Sequence, residues 1–244
     1  MAIRTLVFDA YGTLYDVHSV RSLCTELCGD RGDLITQLWR MKQLEYTWLR
    51  GLMRSYEDFW RVTRASLEFS LDSVGITPEA AICDRLMDKY LDLDLYPEGR
   101  EALAALKDYK LAILSNGSPS MLHTLVRASG IESSLAAVIS VDLAKTYKPD
   151  PECYALVERV LGVRKEEVLF VSSNGFDVAG AKRFGFQVAW IARHRRTDRP
   201  VNSNVGPAEL YTLLRGGAEK LRYDADFCIR ALTDLPSLLT PRST

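Results

Sequence analysis

Residues 5–14 read Thr-Leu-Val-Phe-Asp-Ala-Tyr-Gly-Thr-Leu, and this stretch decides the fold. The apolar run at residues 5–8 predicts a strand that is buried on both faces, and the carboxylate of Asp9 follows at its carboxyl end. Gly12 permits a turn that points backbone N–H groups back toward this carboxylate. Asp9 is therefore expected to be exposed, oriented and ionised, with a simple turn cap as the alternative.

Further apolar runs alternate with helix-like segments along the rest of the chain. Predicted strands are residues 111–114, 137–141, 168–171, 188–191 and 225–229, and predicted helices are residues 99–107, 119–129, 151–161 and 177–184. Short buried strands that alternate with helices are typical of a parallel sheet with right-handed crossovers. The predicted fold class is α/β, with a doubly wound, Rossmann-like parallel-sheet core.

Residues 16–97 interrupt this alternation, because they contain almost no strand-like run. Apolar residues recur there at helical spacing: Leu34, Leu38, Met41, Leu44, Trp48 and Leu52. We expect an inserted helical cap subdomain at 16–97, with residues 1–15 and 98–244 forming the α/β core domain. Since the insertion follows the first strand, it is expected to cover the carboxyl ends of the strands, where open α/β sheets bind ligands.

A second irregular stretch, residues 194–221, is expected to be a loop followed by a helix. Four arginines lie in or beside it: Arg193, Arg195, Arg196 and Arg199. They could bind an anion, but a solvated, partly salt-bridged loop is the favoured interpretation because the chain as a whole is nearly neutral.

The overall charge argues against large anionic partners. The chain has 31 basic and 32 acidic side chains, so no global field attracts nucleic acid or an anionic membrane. No stretch approaches the ~20 apolar residues needed to span a bilayer, and the apolar run near Met1 is too short for a signal peptide.

The five cysteines lack the Cys-x-x-Cys spacing of zinc or redox sites and are expected to be free thiols. We expect a cytoplasmic protein without nucleic-acid or membrane partners.

Polar side chains follow three more of the predicted strands. Ser115 and Asn116 follow one strand, Lys148 precedes a proline that starts a helix, and residues 172–177 read Ser-Ser-Asn-Gly-Phe-Asp. Taken singly, Lys148 is typical of a surface lysine and Asp177 of an N-cap. Their convergence with Asp9 at one sheet edge favours catalysis. A lysine there would keep a nucleophilic carboxylate deprotonated, while Asp177 and Asn174 could hold the lysine and a water molecule.

These four motifs, in this order, resemble those of the haloacid dehalogenase superfamily, and the resemblance covers nearly the whole chain. Residues 8–14 and residues 38–48, Leu-Trp-Arg-Met-Lys-Gln-Leu-Glu-Tyr-Thr-Trp, resemble the L-2-haloacid dehalogenase (type II) branch in particular. The resemblance implies a haloacid dehalogenase-like fold and hydrolysis of short-chain L-2-haloalkanoic acids to D-2-hydroxy acids and halide. It also implies a homodimer, and the preference for the L enantiomer follows from it alone.

The same resemblance implies a role for each motif residue. Asp9 attacks C2 of the substrate opposite the halogen, inverts that carbon and forms an ester. Arg40, Asn116 and the ring edge of Phe176 receive the halide, while Ser115 and the backbone N–H groups of Ala10 and Tyr11 hold the substrate carboxylate. Water then attacks the ester, activated by Asp177, Asn174 and Lys148, with Thr13, Ser172 and Tyr154 completing the catalytic set. Tyr11, Leu44, Phe59, Trp39 and Phe176 are candidates for an apolar pocket, as is Met41, although aromatic residues in a cap are also ordinary core residues.

Tyr11 separates this prediction from a magnesium-dependent phosphatase of the same superfamily. Such phosphatases have a second aspartate at this position, and their fourth motif supplies more carboxylates than the single Asp177 found here. Mg²⁺ prefers charged oxygen ligands, so Asn174 and Lys148 make a poor site. No metal or other cofactor is expected. The phosphatase remains the alternative within the superfamily, and a non-catalytic binding or scaffolding protein is the alternative outside it.

Arg40 is the candidate that tells a dehalogenase from its relatives, because a halide leaves as a stable anion and needs a cation rather than a general acid. Arg40 lies one turn before Leu44 on the predicted helix. From the helix alone, the favoured interpretation is that Arg40 reaches to the edge of the cap or pairs with Glu45 or another acid. The resemblance favours the halide-binding interpretation.

Overall fold

The computed structural model describes residues 2–193 and 205–239. Six parallel strands form one sheet in the order β3-β2-β1-β4-β5-β6. The strands are β1 (Thr5–Phe8), β2 (Lys110–Ser115), β3 (Ala137–Ser140), β4 (Val168–Ser172), β5 (Gln187–Ile191) and β6 (Phe227–Ile229). The predicted α/β class with a doubly wound parallel sheet is confirmed.

The helices divide into an inserted group and a group that belongs to the core. The inserted helices are α1 (Arg21–Cys28), α2 (Gly32–Leu52), α3 (Phe59–Ser73) and α4 (Ala80–Lys89). The core helices are α5 (Gly99–Ala105), α6 (Pro119–Ala128), α7 (Pro151–Leu161), α8 (Gly175–Phe184), α9 (Pro207–Arg215) and α10 (Leu235–Leu239). Short 3-10 turns, among them Val17–Val20, join several of them. The helical insertion is therefore present, while its exact limits at 15/16 and 97/98 stay a prediction.

The order of the strands places the end of β1 at the centre of the fold. All four residues of β1 are buried, and β1 pairs with β2 on one side and β4 on the other. The register aligns Phe8 with Ile113 and Val171, so the residues that follow these strands meet at one edge. From β1 the sheet extends through β2 to β3 on one side, and from β4 it extends through β5 to β6 on the other. Doubly wound sheets bind ligands at the carboxyl ends of the strands where these two directions meet, which is here between β1 and β4.

The chain leaves and re-enters the core through two adjacent segments. The backbone N–H of Asp16 donates to the carbonyl of Asp94 at 2.8 Å, and that of Tyr96 donates to the carbonyl of Leu14 at 2.9 Å. These bonds place the start and the end of the insertion directly beside the end of β1. The four helices are consequently anchored next to Asp9.

Helix α2 is present, but the apolar residues whose spacing predicted it do not form its buried face. Of the six stripe residues only Leu44 is buried, whereas Leu34 and Leu52 are 43% and 83% exposed. The buried face instead combines apolar and polar side chains: Gly32, Ile35, Thr36, Gln37, Trp39, Arg40, Gln43, Leu44 and Thr47. Both faces have helical spacing, and hydropathy selected the wrong one because the buried face carries polar groups that bond to other helices.

Smaller differences concern the element ends and the second irregular stretch. Helix α8 begins at Gly175 with Asn174 as its N-cap, so Asp177 lies in the first turn and is not the cap.

Helix α9 lies where a helix was expected, while Arg195, Arg196 and Arg199 lie outside the described residues. Arg193 pairs with Glu98 at 2.8 Å rather than presenting a free charge. All five cysteines are free thiols. Within residues 2–193 and 205–239, no helix is long and apolar enough to cross a membrane.

Candidate active site

Asp9 lies at the carboxyl end of β1, but it is not exposed as expected. Only 6% of the residue is accessible, because the helical insertion covers this edge of the sheet. Its Oδ2 accepts hydrogen bonds from Thr13 Oγ1 at 3.0 Å and from Asn174 Nδ2 at 2.8 Å, and its Oδ1 accepts one from Lys148 Nζ at 3.2 Å. Three donors from three parts of the chain hold this carboxylate in a single orientation. Such an arrangement exceeds what a turn cap requires.

The turn after β1 brings Thr13 back to the carboxylate. The N–H groups of Thr13, Leu14 and Tyr15 all donate to the carbonyl of Ala10, at 2.9 to 3.2 Å. This tight turn requires a positive φ at Gly12, which is +86° and would strain any other residue. Gly12 is therefore needed for the position of the Thr13 hydroxyl.

Lys148 is fully enclosed in the core. It is 1% exposed, and its ammonium group donates to Asp9 at 3.2 Å, to Asp177 Oδ2 at 2.9 Å and to the carbonyl of Leu114 at 2.7 Å. All three of its donors are thus satisfied. Burial by itself lowers the pKa of Lys148, but Asp177 and Asp9 more than offset this and the pKa is raised. The lysine is a permanent cation between two carboxylates, and the surface alternative is wrong.

Asp177 is completely buried on the other side of this cation. Its Oδ1 accepts a hydrogen bond from the Tyr154 hydroxyl at 2.8 Å. Burial raises the pKa of Asp177 to about 6, although the Lys148 ammonium acts in the opposite direction. Burial also raises the pKa of Tyr154 well above its usual value, so Tyr154 stays a neutral donor. Asp177 is a carboxylate that changes its charge close to neutral pH.

The other polar strand ends position these groups. Asn174 donates to the carbonyl of Tyr11 at 3.0 Å as well as to Asp9, so it holds the carboxylate and the turn rather than the lysine. The hydroxyl of Ser172 accepts from the N–H of Asn174 at 3.2 Å. Asn116 Oδ1 accepts from the N–H of Lys148 at 3.1 Å, and Ser115 Oγ accepts from the N–H of Gly117 at 3.1 Å.

Arg40 projects from α2 and is buried between the insertion and the core. Its Nη1 donates to Gln43 Oε1 at 2.7 Å and its Nη2 to the carbonyl of Tyr11 at 3.4 Å. Its Nε is buried and has no hydrogen-bond partner among the described residues. Arg40 neither reaches the edge of the cap nor pairs with Glu45, which pairs with Lys42 instead. A buried cation with an unused donor next to Tyr11 is suited to receive an anion.

Aromatic side chains line the space beside Tyr11. The ring of Tyr11 packs on Phe59 with 5.3 Å between centroids and on Tyr90 with 5.6 Å. Trp39 packs on Tyr90 and donates to the carbonyl of Thr63, so it lies one layer behind this wall. The rings of Phe176 and Trp48 pack in a T-shaped arrangement with 5.3 Å between their centroids. Leu44 is buried on α2, and Met41 is half-buried.

Several residues of the site were missed in the sequence. Gln43, Tyr90 and Thr63 form the surroundings of Arg40, and Ser173 binds the turn by donating from its N–H to Thr13 and from its hydroxyl to the carbonyl of Gly12. Gln43 follows Arg40 by one helical turn, and a polar stripe on α2 was the signal that would have found it. Tyr90 and Thr63 lie on other elements, where no local pattern identifies them.

The acidic groups do not fit a divalent metal ion. Asp9 and Asp177 share the ammonium of Lys148, which occupies the position between them. Among residues 2–193 and 205–239, no group of three or more histidine, cysteine or acidic side chains is placed to hold a metal. Mg²⁺ needs several oxygen ligands around a position free of other cations. The residues present at this site are therefore unlike a magnesium centre.

The sequence matches a family of hydrolases, and the relatives that it resembles are dehalogenases. Residues 3–185 match the family model described as a hydrolase, haloacid dehalogenase-like hydrolase. An (S)-2-haloacid dehalogenase of Xanthobacter autotrophicus is 48% identical over 240 residues, which are 97% of this chain and 95% of that one. Haloacetate dehalogenase H-2 of Moraxella sp. (strain B) is 46% identical over 194 residues, which are 79% and 87% of the two chains.

Solved structures agree with these relatives. The structure of L-2-haloacid dehalogenase from Xanthobacter autotrophicus superimposes with a TM-score of 0.94 at 48% identity and covers 97% of this chain and 98% of that one. The same protein with chloropropionic acid covalently bound gives a TM-score of 0.95 at 47% identity and covers 99% and 100% of the two chains.

Proposed function

This chain belongs to the haloacid dehalogenase-like hydrolase family, and we propose that it releases halide from short-chain L-2-haloalkanoic acids with Asp9 as its nucleophile. The observation that carries this proposal is the environment of Asp9: three hydrogen-bond donors fix the carboxylate, one of them the fully buried ammonium of Lys148. The covalent chloropropionic acid complex of the Xanthobacter relative supports an ester intermediate.

In the first step, the carboxylate of Asp9 attacks C2 of the substrate from the side opposite the halogen. The new C–O bond forms as the carbon–halogen bond breaks, so C2 is inverted and the halogen leaves with the bonding electron pair. The Lys148 ammonium lies 3.2 Å from Oδ1 and compensates the charge of this carboxylate. Ser115 and the N–H groups of Ala10 and Tyr11 hold the substrate carboxylate, which fixes the alignment that displacement needs.

The departing halide is received by Arg40, Asn116 and the ring edge of Phe176. Arg40 supports this role with a buried positive charge and an Nε–H that has no partner within residues 2–193 and 205–239. Asn116 supports it because its Oδ1 is bound to the N–H of Lys148, which leaves the Nδ2 donors free to face the site. Halides are stable anions, so preorganised donors suffice and no proton has to be transferred to the leaving group.

In the second step, water attacks the carbonyl carbon of the Asp9 ester. Ionised Asp177 takes the proton from the water, with Lys148 and Asn174 in support. The oxyanion is stabilised by the donors of the Asp9 oxygen that remains the carbonyl, which are Lys148 at Oδ1 or Thr13 and Asn174 at Oδ2. As this intermediate collapses, the proton held by Asp177 passes to the oxygen that leaves, which releases a D-2-hydroxy acid. The remaining proton of the attacking water is lost to solvent, and this regenerates the Asp9 carboxylate. Tyr154 and Ser172 hold Asp177 and Asn174 in place through the hydrogen bonds described above.

The proposal is tested by halide release from L- and D-2-chloropropionate in the presence of EDTA. We expect release from the L enantiomer, unaffected by EDTA, and none above background from the D enantiomer. Phosphate release from a panel of phosphate esters with Mg²⁺ is measured in parallel, and none is expected. Loss of halide release in EDTA, or phosphate release from the panel, would favour the phosphatase alternative.

The role of Asp177 predicts the acid side of the pH profile. Asp177 acts when ionised, and burial raises its pKa to about 6. The rate of ester hydrolysis is therefore expected to be maximal above that pH and to fall as the pH decreases through it. Tyr154→Phe removes a hydrogen bond to Asp177 that lowers the pKa, so its profile should shift to higher pH. Tyr223→Phe, on an exposed tyrosine, is the matched control. Superimposable profiles for all three proteins would exclude Asp177 as the base.

The homodimer and the cytoplasmic location are further proposals. A homodimer is supported by apolar side chains exposed on α2 and on the adjacent α9, where Leu52, Leu210 and Leu214 are 83%, 47% and 51% accessible. Large apolar side chains exposed on neighbouring helices are typical of an interface. Light scattering coupled to size exclusion gives the mass in solution, and a monomer would contradict this proposal.

A further inference from the structure

Gln43 is a completely buried amide whose oxygen and nitrogen both have hydrogen-bond partners. It is 0% exposed and lies on α2, one turn after Arg40. Its Oε1 accepts from Arg40 Nη1 at 2.7 Å and from the Tyr90 hydroxyl at 2.9 Å, and its Nε2 donates to Thr63 Oγ1 at 2.7 Å. A buried amide is expensive unless it is satisfied in this way. Gln43 thus joins α2 to α3 and to the end of α4.

The orientation of the Gln43 amide is determined by Thr63. The hydroxyl of Thr63 donates its single proton to the carbonyl of Phe59 at 2.6 Å, so its oxygen accepts from Gln43. The NH₂ group of Gln43 must therefore point toward Thr63 and its oxygen toward Arg40. Tyr90 reinforces this choice, because burial raises the pKa of its hydroxyl and keeps it a neutral donor.

This amide controls where the Arg40 guanidinium points. The short bond to Gln43 fixes one edge of the planar group. The carbonyl of Tyr11 at 3.4 Å and the hydroxyl of Tyr211 on α9 also hold it and limit its rotation. Among the described residues, Nε is the Arg40 nitrogen that is buried without a hydrogen-bond partner. Because a guanidinium is rigid and planar, fixing one edge fixes the direction of the remaining N–H groups.

We propose that Gln43 is a positioning residue for the leaving group: held by Thr63 and Tyr90, it orients Arg40 toward the departing halide. The inference rests on the proposed function of Arg40 as a halide receiver. Gln43 acts through Arg40 and not on the substrate. Its effect is consequently confined to the step in which the carbon–halogen bond breaks, and hydrolysis of the Asp9 ester does not depend on it.

The Gln43→Leu variant tests this by separating the two steps. We expect kcat/KM, which reports the steps up to halide departure, to fall by about 10- to 100-fold for L-2-chloropropionate, comparable to the loss of one preorganised donor. The loss should be smaller for L-2-iodopropionate, since the larger ion spreads its charge and gains less from a directed donor. In a rapid-quench single turnover, the rate at which the ester disappears should stay within about twofold of wild type.

Two further variants make the result decisive. Gln37→Leu is the matched control, since Gln37 is a buried glutamine on the same helix whose Nε2 contacts Asp33. It should leave the dependence on the halogen unchanged. Gln43→Glu keeps an acceptor for Arg40 but neutralises its charge toward the halide, so kcat/KM should again fall more for chloride than for iodide. If Gln43→Leu does not fold, Gln43→Glu provides the test of the positioning role.

Equal losses of kcat/KM for both halogens, an equal slowing of ester hydrolysis, or wild-type kinetics in a folded Gln43→Leu protein would overturn the inference. These outcomes are distinct from failure of the proposed function. If wild type itself releases no halide from either substrate, the assignment of the reaction fails. If wild type is active and the Gln43 variants behave like Gln37→Leu, only the positioning role fails.

Discussion

The Asp9→Asn variant is expected to lose halide release by about 10⁴-fold or more while remaining folded. The loss follows because an amide oxygen is a far weaker nucleophile than a carboxylate and the ester cannot form. The fold should survive since asparagine has the same shape and its oxygen still accepts from Thr13 and Asn174. Its NH₂ group then faces the Lys148 ammonium in place of the acceptor Oδ1, which costs some stability. Lys148 keeps its bonds to Asp177 and to the carbonyl of Leu114, so its charge is not left unpaired.

Two measurements check this expectation. Halide release gives the turnover, and mass spectrometry of acid-quenched wild type in excess L-2-chloropropionate should show one added 1-carboxyethyl group on the peptide that contains Asp9. Asp9→Asn should show no adduct, and its thermal unfolding should stay cooperative with at most a moderate decrease in midpoint. Asp16→Asn is the control, because Asp16 caps the turn at His18 and asparagine is an equally good cap. Turnover that survives in Asp9→Asn, or that is lost only together with folding, would assign Asp9 a structural role.

The sheet could be predicted because its determinants are local. Strands buried on both faces are short apolar runs, and helices between them have their own period, so β1 and α7 were found with their observed limits. The convergence of Asp9, Lys148 and Asp177 was also predictable, since the carboxyl ends of parallel strands share one edge. Their separations and the enclosure of Lys148 depend on packing and had to come from the structure.

The errors arose where polar groups are buried by distant partners. On α2 the exposed residues are the more apolar ones, and the buried face contains Arg40 and Gln43. Hydropathy assigns such a face to solvent unless the partners are known. Those partners, Thr63 and Tyr90, are 20 and 47 residues from Gln43 in the chain. The burial of Asp9 was missed for a related reason, because it depends on how the insertion closes over the sheet.

The Lys148→Met variant is expected to lose turnover by about 10³-fold or more and to be less stable at neutral pH. Methionine fills the space of the lysine chain without its charge. Asp9 and Asp177 would then face each other in the core without the cation that now lies 3.2 and 2.9 Å from them. Removing one partner from a buried ion pair typically costs about 3 to 5 kcal/mol, since the remaining charges are uncompensated.

The two carboxyl groups are expected to respond by sharing a proton, which raises the pKa of the pair above its value in the unfolded chain. A group whose folded pKa is raised contributes stability at low pH and loses it as the pH increases through that pKa. The stability deficit of Lys148→Met relative to wild type should therefore be small near pH 5 and large near pH 8. Thermal unfolding at both values measures it. Lys182→Met, which breaks the partly exposed pair with Asp226, should show little deficit at either pH. A deficit for Lys148→Met that is the same at both pH values would mean that packing, and not charge compensation, makes Lys148 necessary.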